Sequence, residues 1–418
     1  MKIIRGGVTA PIGFYASGIS CGIKTTGAKD LSLIYSETLC DAAGVFTTNK
    51  VQASCVVINK ENLKNGKAQA IIANSGNANC MTGKRGFKDS RKMASVAADG
   101  LGIKENNICV ASTGVIGHYL PIEKIAQAVP SLIKGLSNKG STNAAKGIMT
   151  TDHKMKECAV EFLVGNKRVR IGAIAKGAGM IHPEMALGGT KPASAKSYGV
   201  AKHATMLCFI TTDALIAPSA LRQALNSATQ KSFNMITVDG DMSTNDMALI
   251  LANGMAENKK MVAGSKGFLI FSKALDVVLL ALAKLMVEDA EGATKFVEVS
   301  ILGAKNEKDA RIIARKIASS NLVKCALNGS DPNWGRIAAS AGQSDAHIDP
   351  WKMKIFLGKE LVLKGGDEVK KKHGVLDKVF SKKNIKITVE LGLGNGAATA
   401  YTCDLSSAYV KLNSAYHT

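Results

Sequence analysis

Apolar and polar positions alternate in short blocks along this chain, and the period of the alternation changes from block to block. The first fifty residues interrupt their apolar runs at Gly6-Gly7, Ala10-Pro11-Ile12-Gly13, Gly22, Gly27 and Gly44, which predicts strands joined by tight turns. Ala70 to Ala73 reads as a buried strand that runs into a loop of small residues, Asn74-Ser75-Gly76-Asn77-Ala78-Asn79. Apolar positions recur at helical spacing over Arg91 to Gly100 and Ile122 to Leu136. Between them, Cys109 to Gly117 is an apolar strand opening into a turn at Thr113-Gly114. A glycine in such a turn permits a backbone path that points successive N–H groups at one spot. Arg168 to Ala175 and Thr205 to Asp213 read as strands, and Leu187 to Ala204, rich in Gly, Ala, Ser and Lys, as an exposed loop between them. In the second half, Ser219 to Ser232, Ser272 to Val287 and Glu307 to Ser319 predict helices, whereas Phe233 to Val238, Thr294 to Leu302, Asp345 to Leu363 and Ile385 to Leu393 predict strands. Strands and helices mixed in blocks, without a fixed-period repeat, imply a layered α/β (α+β) architecture of the αββα kind.

Composition narrows the class. With 418 residues, 46% of them hydrophobic, the chain can bury a large core in one domain or two joined halves. No stretch approaches about 18 uninterrupted apolar residues, and Gly6-Gly7 falls where a signal peptide needs its apolar run. A soluble cytoplasmic protein with no membrane partner is expected. The nine cysteines are scattered without a Cys-x-x-Cys pair, and no His-Glu-x-x-His spacing occurs. Reduced thiols and no metal site follow as expectations. The net charge of +21 raises nucleic-acid or other polyanion binding as an alternative. Its densest run, Lys370-Lys371-Lys372-His373 with Lys382 and Lys383, carries only Phe380 among the lysines and lacks any nucleic-acid motif. A solvated lysine face, and no nucleic-acid partner, is the simpler expectation.

One residue stands out chemically. A threonine hydroxyl is a weak nucleophile until a base takes its proton, and a compact base is the free α-amine of the same residue. That amine exists only after the preceding peptide bond is cut, and its ordinary pKa near 7.7 to 8.0 leaves a neutral fraction at pH 7. The candidate must follow a small residue, behind an exposed loop, at the head of a buried strand. Ala204-Thr205-Met206-Leu207 meets all three conditions, as do many ordinary junctions of loop and strand.

The surrounding motifs sharpen the choice. Lys176-Gly177-Ala178-Gly179-Met180-Ile181-His182-Pro183-Glu184-Met185-Ala186, followed by Thr205 to Ala214, resembles the junction of the ornithine acetyltransferase family, the ArgJ-type glutamate N-acetyltransferases. So do Asn74 to Asn79, Ala111 to Gly117, Met149-Thr150-Thr151-Asp152, Asp239 to Asp246, Glu291 to Lys295, Gly329 to Arg336, Gly392 to Gly396 and Asn413 to Thr418. These matches run in order over nearly the whole chain.

The resemblance implies a self-processing enzyme whose α chain, 1–204, ends at Ala204 and whose β chain, 205–418, begins at Thr205, associated as α2β2. It implies a fold similar to the peptidase DmpA and resembling the N-terminal-nucleophile hydrolases. Thr205 would take acetyl from N-acetylornithine as an ester and pass it to glutamate in arginine biosynthesis, without a bound cofactor and with acetyl-CoA as a possible co-substrate. Thr113 and Gly114 match the oxyanion-stabilising pair. Lys176, one of Thr150 and Thr151, Glu291, Asn413 and Thr418 match substrate contacts, with Glu291 placed for the ornithine side-chain ammonium. A related alternative is an aminopeptidase or amidase of the same fold group, in which water accepts the acyl group. The sequence departs from the family in two places. In the first, the threonine normally follows Met-Ala at once, but here Leu187 to Ala204 intervenes after Met185-Ala186, keeping an alanine before Thr205. A second departure puts the acidic Glu184 where a neutral residue is usual.

Overall fold

The computed structural model describes residues 1–188, 205–372 and 374–415. Among them, Met1–Asn234 with Met242–Met286 form one compact unit, and Met235–Asp241 with the residues from Val287 onward form a second. Neither boundary falls at 204/205. The greater part of the Leu187 to Ala204 loop, Ala204 itself and Thr418 lie outside the described residues.

The first unit is built on a ten-stranded mixed sheet. Its strands are β1 (Lys2–Ile4), β2 (Phe14–Ile19), β3 (Leu31–Thr47), β4 (Lys67–Asn77), β5 (Ile108–Val115), β6 (Lys156–Val164), β7 (Lys167–Lys176), β8 (Met185–Leu187), β9 (Leu207–Thr212) and β10 (Met247–Ala252). They run in the order β1-β6-β7-β9-β10-β3-β4-β5, with β2 and β8 also paired to β3. Central strands buried on both faces carry near-continuous apolar runs, as in Leu207-Cys208-Phe209-Ile210 of β9 and Met247 to Ala252 of β10, all buried. The helices are α1 (Ser54–Asn62), α2 (Gly83–Leu101), α3 (Ile122–Lys134), α4 (Ser141–Ile148), α5 (Pro218–Lys231) and α6 (Lys266–Glu288). Met93 and Ala97 of α2 and Val129 and Leu132 of α3 share a buried core with Ile34, Ile72 and Val110 of the sheet. Burying one such aliphatic side chain contributes about 1.5–3 kcal/mol.

The second unit carries a six-stranded sheet of β11 (Phe296–Ala304), β12 (Lys354–Leu357), β13 (Glu360–Lys364), β14 (Asp367–Glu368), β15 (Asn384–Glu390) and β16 (Gly396–Cys403), ordered β14-β13-β12-β15-β11-β16. Its helices are α7 (Glu307–Ala318), α8 (Asn321–Asn328), α9 (Trp334–Gly342), α10 (Val375–Phe380) and α11 (Ser407–Ala415). Ile313 and Ile317 of α7 pack with Val297, Val299 and Ile387 in its core. The Asn306 side chain caps α7 by accepting from the Asp309 N–H.

Three expectations need correction. Asn74 to Asn77 is not a loop but the end of β4. Its polar groups are satisfied internally, Asn74 Nδ2 donating to the Asn77 carbonyl and Ser112 Oγ donating to Asn74 Oδ1, so the strand can continue. Phe233–Met235 is a 3-10 turn and not the start of a strand. Its apolar side chains are buried without entering a ladder, because an apolar run alone does not separate a strand from another buried segment. Asp345 to Met353 lies outside the strands, which begin at Lys354 as a hairpin.

Among the described residues no helix is long and apolar enough to cross a membrane, and no group of three or more His, Cys, Asp or Glu is placed to hold a metal ion. Six cysteines are buried and Cys325 is exposed. Burial pushes the Cys55 and Cys109 thiols up to about 12, which keeps them protonated and unreactive at neutral pH.

Candidate active site

The site grows from the pairing of five strands, β4 with β5 and β9 with β7 and β10. Strands β4 and β5 are parallel, and their register sets Gly76 opposite Gly114 before it shifts at Asn77. Gly114 has φ 130°, and a Cβ there would lie 2.3 Å from the Gly76 carbonyl carbon and 2.5 Å from the Asn77 nitrogen. Backbone meets backbone, so a side chain has nowhere to go. Thr113-Gly114 is therefore the end of β5 and not a separate turn. Gly114→Ala is expected to force these strands apart and reduce activity steeply, with thermal unfolding at lower temperature. An unchanged melting curve and unchanged activity would refute the close approach.

Thr113 is fully buried, and its hydroxyl accepts a hydrogen bond of 3.3 Å from Lys176 Nζ, the last residue of β7. Lys176 also donates to Thr150 Oγ1 at 2.8 Å. The geometry thus separates the two adjacent threonines: Thr150 faces Lys176, while the buried Thr151 hydroxyl has no hydrogen-bond partner among the described residues.

Asp152 organises this corner. Its Oδ1 accepts from Lys156 Nζ at 2.7 Å and from the Gly177 N–H at 2.7 Å, its Oδ2 accepts from the Thr150 N–H at 3.1 Å, and Lys176 Nζ stands 3.9 Å away. Burial opposes ionisation here, but the Lys176 and Lys156 charges and these hydrogen bonds prevail, holding the carboxyl well below the ordinary carboxylate range. Lys24 braces the same turn, donating to the Met149 and Lys29 carbonyls at 2.6 and 2.8 Å.

Thr205 stands two residues ahead of β9. Lys176, whose ammonium reaches Thr113 and Thr150, is the register partner of Leu207 across the antiparallel β7–β9 ladder, two residues from Thr205. On its other side β9 runs parallel to β10 with Leu207 opposite Met247. The approaches to these two strands lie side by side. Thr205, only 3% exposed, shares a 2.7 Å hydrogen bond between its Oγ1 and Ser243 Oγ. Ser243 Oγ accepts from the Asn245 N–H at 3.2 Å, and Asn245 Nδ2 donates to the Ser112 and Ala78 carbonyls at 2.8 Å each. Asp246 Oδ1 accepts from the Met206 N–H at 2.8 Å.

In the second unit Glu291 is buried, and its Oε2 accepts from Asn413 Nδ2 at 3.1 Å. Tyr409 donates to Asp239 Oδ2 at 3.1 Å. Burial, then the Asp239 charge and hydrogen bond and the Glu291 charge, push its phenol far above the ordinary range. Two of the three contacts expected toward the C-terminus, Glu291 and Asn413, are thus neighbours; Thr418 lies outside the described residues.

The residues missed by sequence reasoning are Asp152 and Ser243. Both sit inside motifs already singled out, Met149 to Asp152 and Asp239 to Asp246. The signal available was a charged or hydroxylic residue in each motif, but its partner is fixed only by strand pairing.

A buried hydroxyl at a strand head, a second hydroxyl in contact with it and an ammonium group around the corner are suited to acyl transfer, since they can hold an acyl acceptor and move its proton. The sequence profile of the ArgJ family matches residues 15–418. The chain is 45% identical over 420 residues to the arginine biosynthesis bifunctional protein ArgJ of Symbiobacterium thermophilum, covering 100% of both, and 44% identical over 422 residues to that of Caldanaerobacter subterraneus, again covering 100% of both. It is also similar to the crystal structure of the Mycobacterium tuberculosis ornithine acetyltransferase complexed with ornithine, at 39% identity and a TM-score of 0.43, over 44% of this chain and 99% of that one. This chain belongs to the ArgJ family.

Proposed function

We propose that the protein is a glutamate N-acetyltransferase of arginine biosynthesis, which moves acetyl from N2-acetylornithine to glutamate through an acetyl ester on Thr205. The observation that carries this reading is the buried Thr205 hydroxyl at the head of β9, a strand whose Leu207 pairs with Lys176, itself bonded to Thr113 and Thr150. Its relatives along the full length are named for arginine biosynthesis, and one solved relative holds ornithine.

In this reading the chain cuts itself between Ala204 and Thr205, and the freed α-amine becomes the base for the threonine hydroxyl. Thr205 attacks the acetyl carbonyl, ornithine leaves, and glutamate takes the acetyl from the ester. The Thr113 hydroxyl and the Gly114 N–H stabilise the tetrahedral oxyanion; donors of this kind contribute about 2.7–4 kcal/mol each. Lys176 and Thr150 hold the α-carboxylate end of the substrate, a task suited to an ammonium fixed by several hydrogen bonds. The family resemblance assigns the substrate's side-chain ammonium to Glu291, Asn413 and Thr418. This reaction requires no bound cofactor, and acetyl-CoA in place of N2-acetylornithine is a second donor to be assayed. The two pieces stay together, because β9 is hydrogen-bonded to β7 from before the cut and to β10 from after it, and two such pairs associate as α2β2 in the cytoplasm.

The test is direct. Intact-mass measurement of the purified chain should give two co-eluting fragments, one beginning at Met1 and one at Thr205. Incubation with N-acetylornithine and glutamate should yield N-acetylglutamate and ornithine in equal amounts. Acetate released at the same rate with or without glutamate would make the protein a hydrolase instead. Glu291→Gln is expected to raise KM for N-acetylornithine about 10-fold or more, the scale of losing one charged hydrogen bond, with a smaller effect on KM for glutamate. Equal changes for both substrates would detach Glu291 from the ornithine ammonium.

A further inference from the structure

We propose that Ser243 is the proton relay of the Thr205 hydroxyl, and that the self-cutting step depends on it; this inference rests on Thr205 being the nucleophile. The reason begins with a gap in the free-amine mechanism. Before the cut, the Thr205 nitrogen is an amide bonded to Ala204, and an amide nitrogen is no base. Whatever takes the hydroxyl proton in that first step must be another group.

Thr205 Oγ1 has one hydrogen-bond partner among the described residues, Ser243 Oγ at 2.7 Å. The pair is buried, Thr205 being 3% and Ser243 1% exposed. Ser243 is also held tightly. Its Oγ accepts from the Asn245 N–H, its carbonyl accepts from Thr47 Oγ1 at 2.7 Å, and the parallel pairing of β9 with β10 sets the two approaches abreast. With one lone pair occupied by the Asn245 N–H, the serine oxygen keeps a second for the Thr205 proton while its own O–H is free to rotate toward another acceptor. Within one threonine the hydroxyl and the α-nitrogen are separated by two carbons, so a single relay atom can serve both.

The step balances without an external acid or base. Thr205 Oγ bonds to the Ala204 carbonyl carbon as its proton passes to Ser243 Oγ. The carbon–nitrogen bond breaks, and Ser243 gives its former hydroxyl proton to the departing Thr205 nitrogen. The result is an ester between Ala204 and the Thr205 hydroxyl, with Ser243 unchanged. Water then adds to the ester carbon, the carbon–oxygen bond to Thr205 breaks, and the hydroxyl recovers a proton from that water. Ala204 ends as a carboxylate and Thr205 as a free amine.

The experiment follows the conversion of the 418-residue chain into its two fragments by mass, for the unsubstituted protein, Thr205→Ala, Ser243→Ala, Ser243→Thr and Ser243→Val. Each variant's thermal unfolding is recorded alongside. Removing a positioned proton-transfer group typically slows a step by about 10²–10⁴-fold, so Ser243→Ala and Ser243→Val should cut at least 100-fold more slowly. Ser243→Thr, which keeps the hydroxyl, should cut at close to the unsubstituted rate. If Ser243→Ala fails to fold, the near-isosteric Thr and Val pair decides: cutting by Thr alone supports the relay, and equal rates overturn it. A chain that is never cut, or that is still cut as Thr205→Ala, would refute the nucleophile itself. An uncut Thr205→Ala beside freely cutting Ser243→Ala and Ser243→Val would leave the nucleophile standing and remove the relay.

Discussion

Thr205→Ala is expected to leave one uncut 418-residue chain with no detectable acetyl transfer. The substitution removes a single hydroxyl that has two tasks, attack on the Ala204 carbonyl and attack on the acetyl group. It leaves the surrounding scaffold intact, because the Met206 N–H still reaches Asp246 and β9 keeps its ladders to β7 and β10. Removing a nucleophile that acts as a unit with its base lowers turnover by roughly 10⁴–10⁶-fold. Thr205→Ser, which restores the hydroxyl, should recover both the cut and part of the transfer. Intact mass and a coupled assay for N-acetylglutamate check both outcomes. Undiminished transfer by Thr205→Ala would end the covalent mechanism.

Asp152→Asn is expected to destabilise the fold by about 3–5 kcal/mol, the scale for removing one partner of a buried ion pair. Asp152 and Lys156 are both almost fully shielded, 2.7 Å apart, and Lys176 is 3.9 Å from the same carboxylate. An asparagine keeps the shape but leaves two ammonium groups facing an uncharged amide. The pH dependence carries a sign that a shape effect lacks. Because the folded state holds this carboxyl below its ordinary range, its stabilisation is fully present above the unfolded pKa of about 3.9 and is lost as pH falls through the folded value. The gap in stability between the unsubstituted protein and Asp152→Asn should therefore be constant near neutrality and narrow below about pH 4. Denaturant unfolding of both proteins at a series of pH values measures this. A gap that widens on acidification would place the charge elsewhere. Activity should fall too, since the Thr150 turn and the Gly177 N–H lose their anchor.

Much of the scaffold was legible from periodicity. The helices α3, α5 and α7 and the strands β7, β9 and β15 lie within a few residues of the segments predicted for them, because each shows either one period or a bounded apolar run, as β9 does. The 17-residue β3 and the paired β10 were not singled out. Strand β3 pairs mainly with β2 and β4 over its first part and with β10 and β8 over its second, so its exposure changes along the strand and no single alternation survives. Helix α2 begins eight residues before the predicted Arg91, where Lys84, Arg85 and Lys88 dilute the apolar signal.

The candidate site divides in the same way. The amino-acid sequence by itself determined which residue types were present and in what order: a threonine behind a small residue, a glycine after Thr113, a lysine ending a strand, and the ordered motifs of the family. Those are local properties, carried by neighbours in the chain. Tertiary structure alone decided the partners. It set Ser243 against Thr205 across 38 residues, tied Asn245 to Ser112 across 133, chose Thr150 over Thr151 for Lys176, and gave Asp152 two lysines to hold. The physical reason is that a buried polar group must find its hydrogen bond wherever the packed fold supplies one, and strand register determines that place.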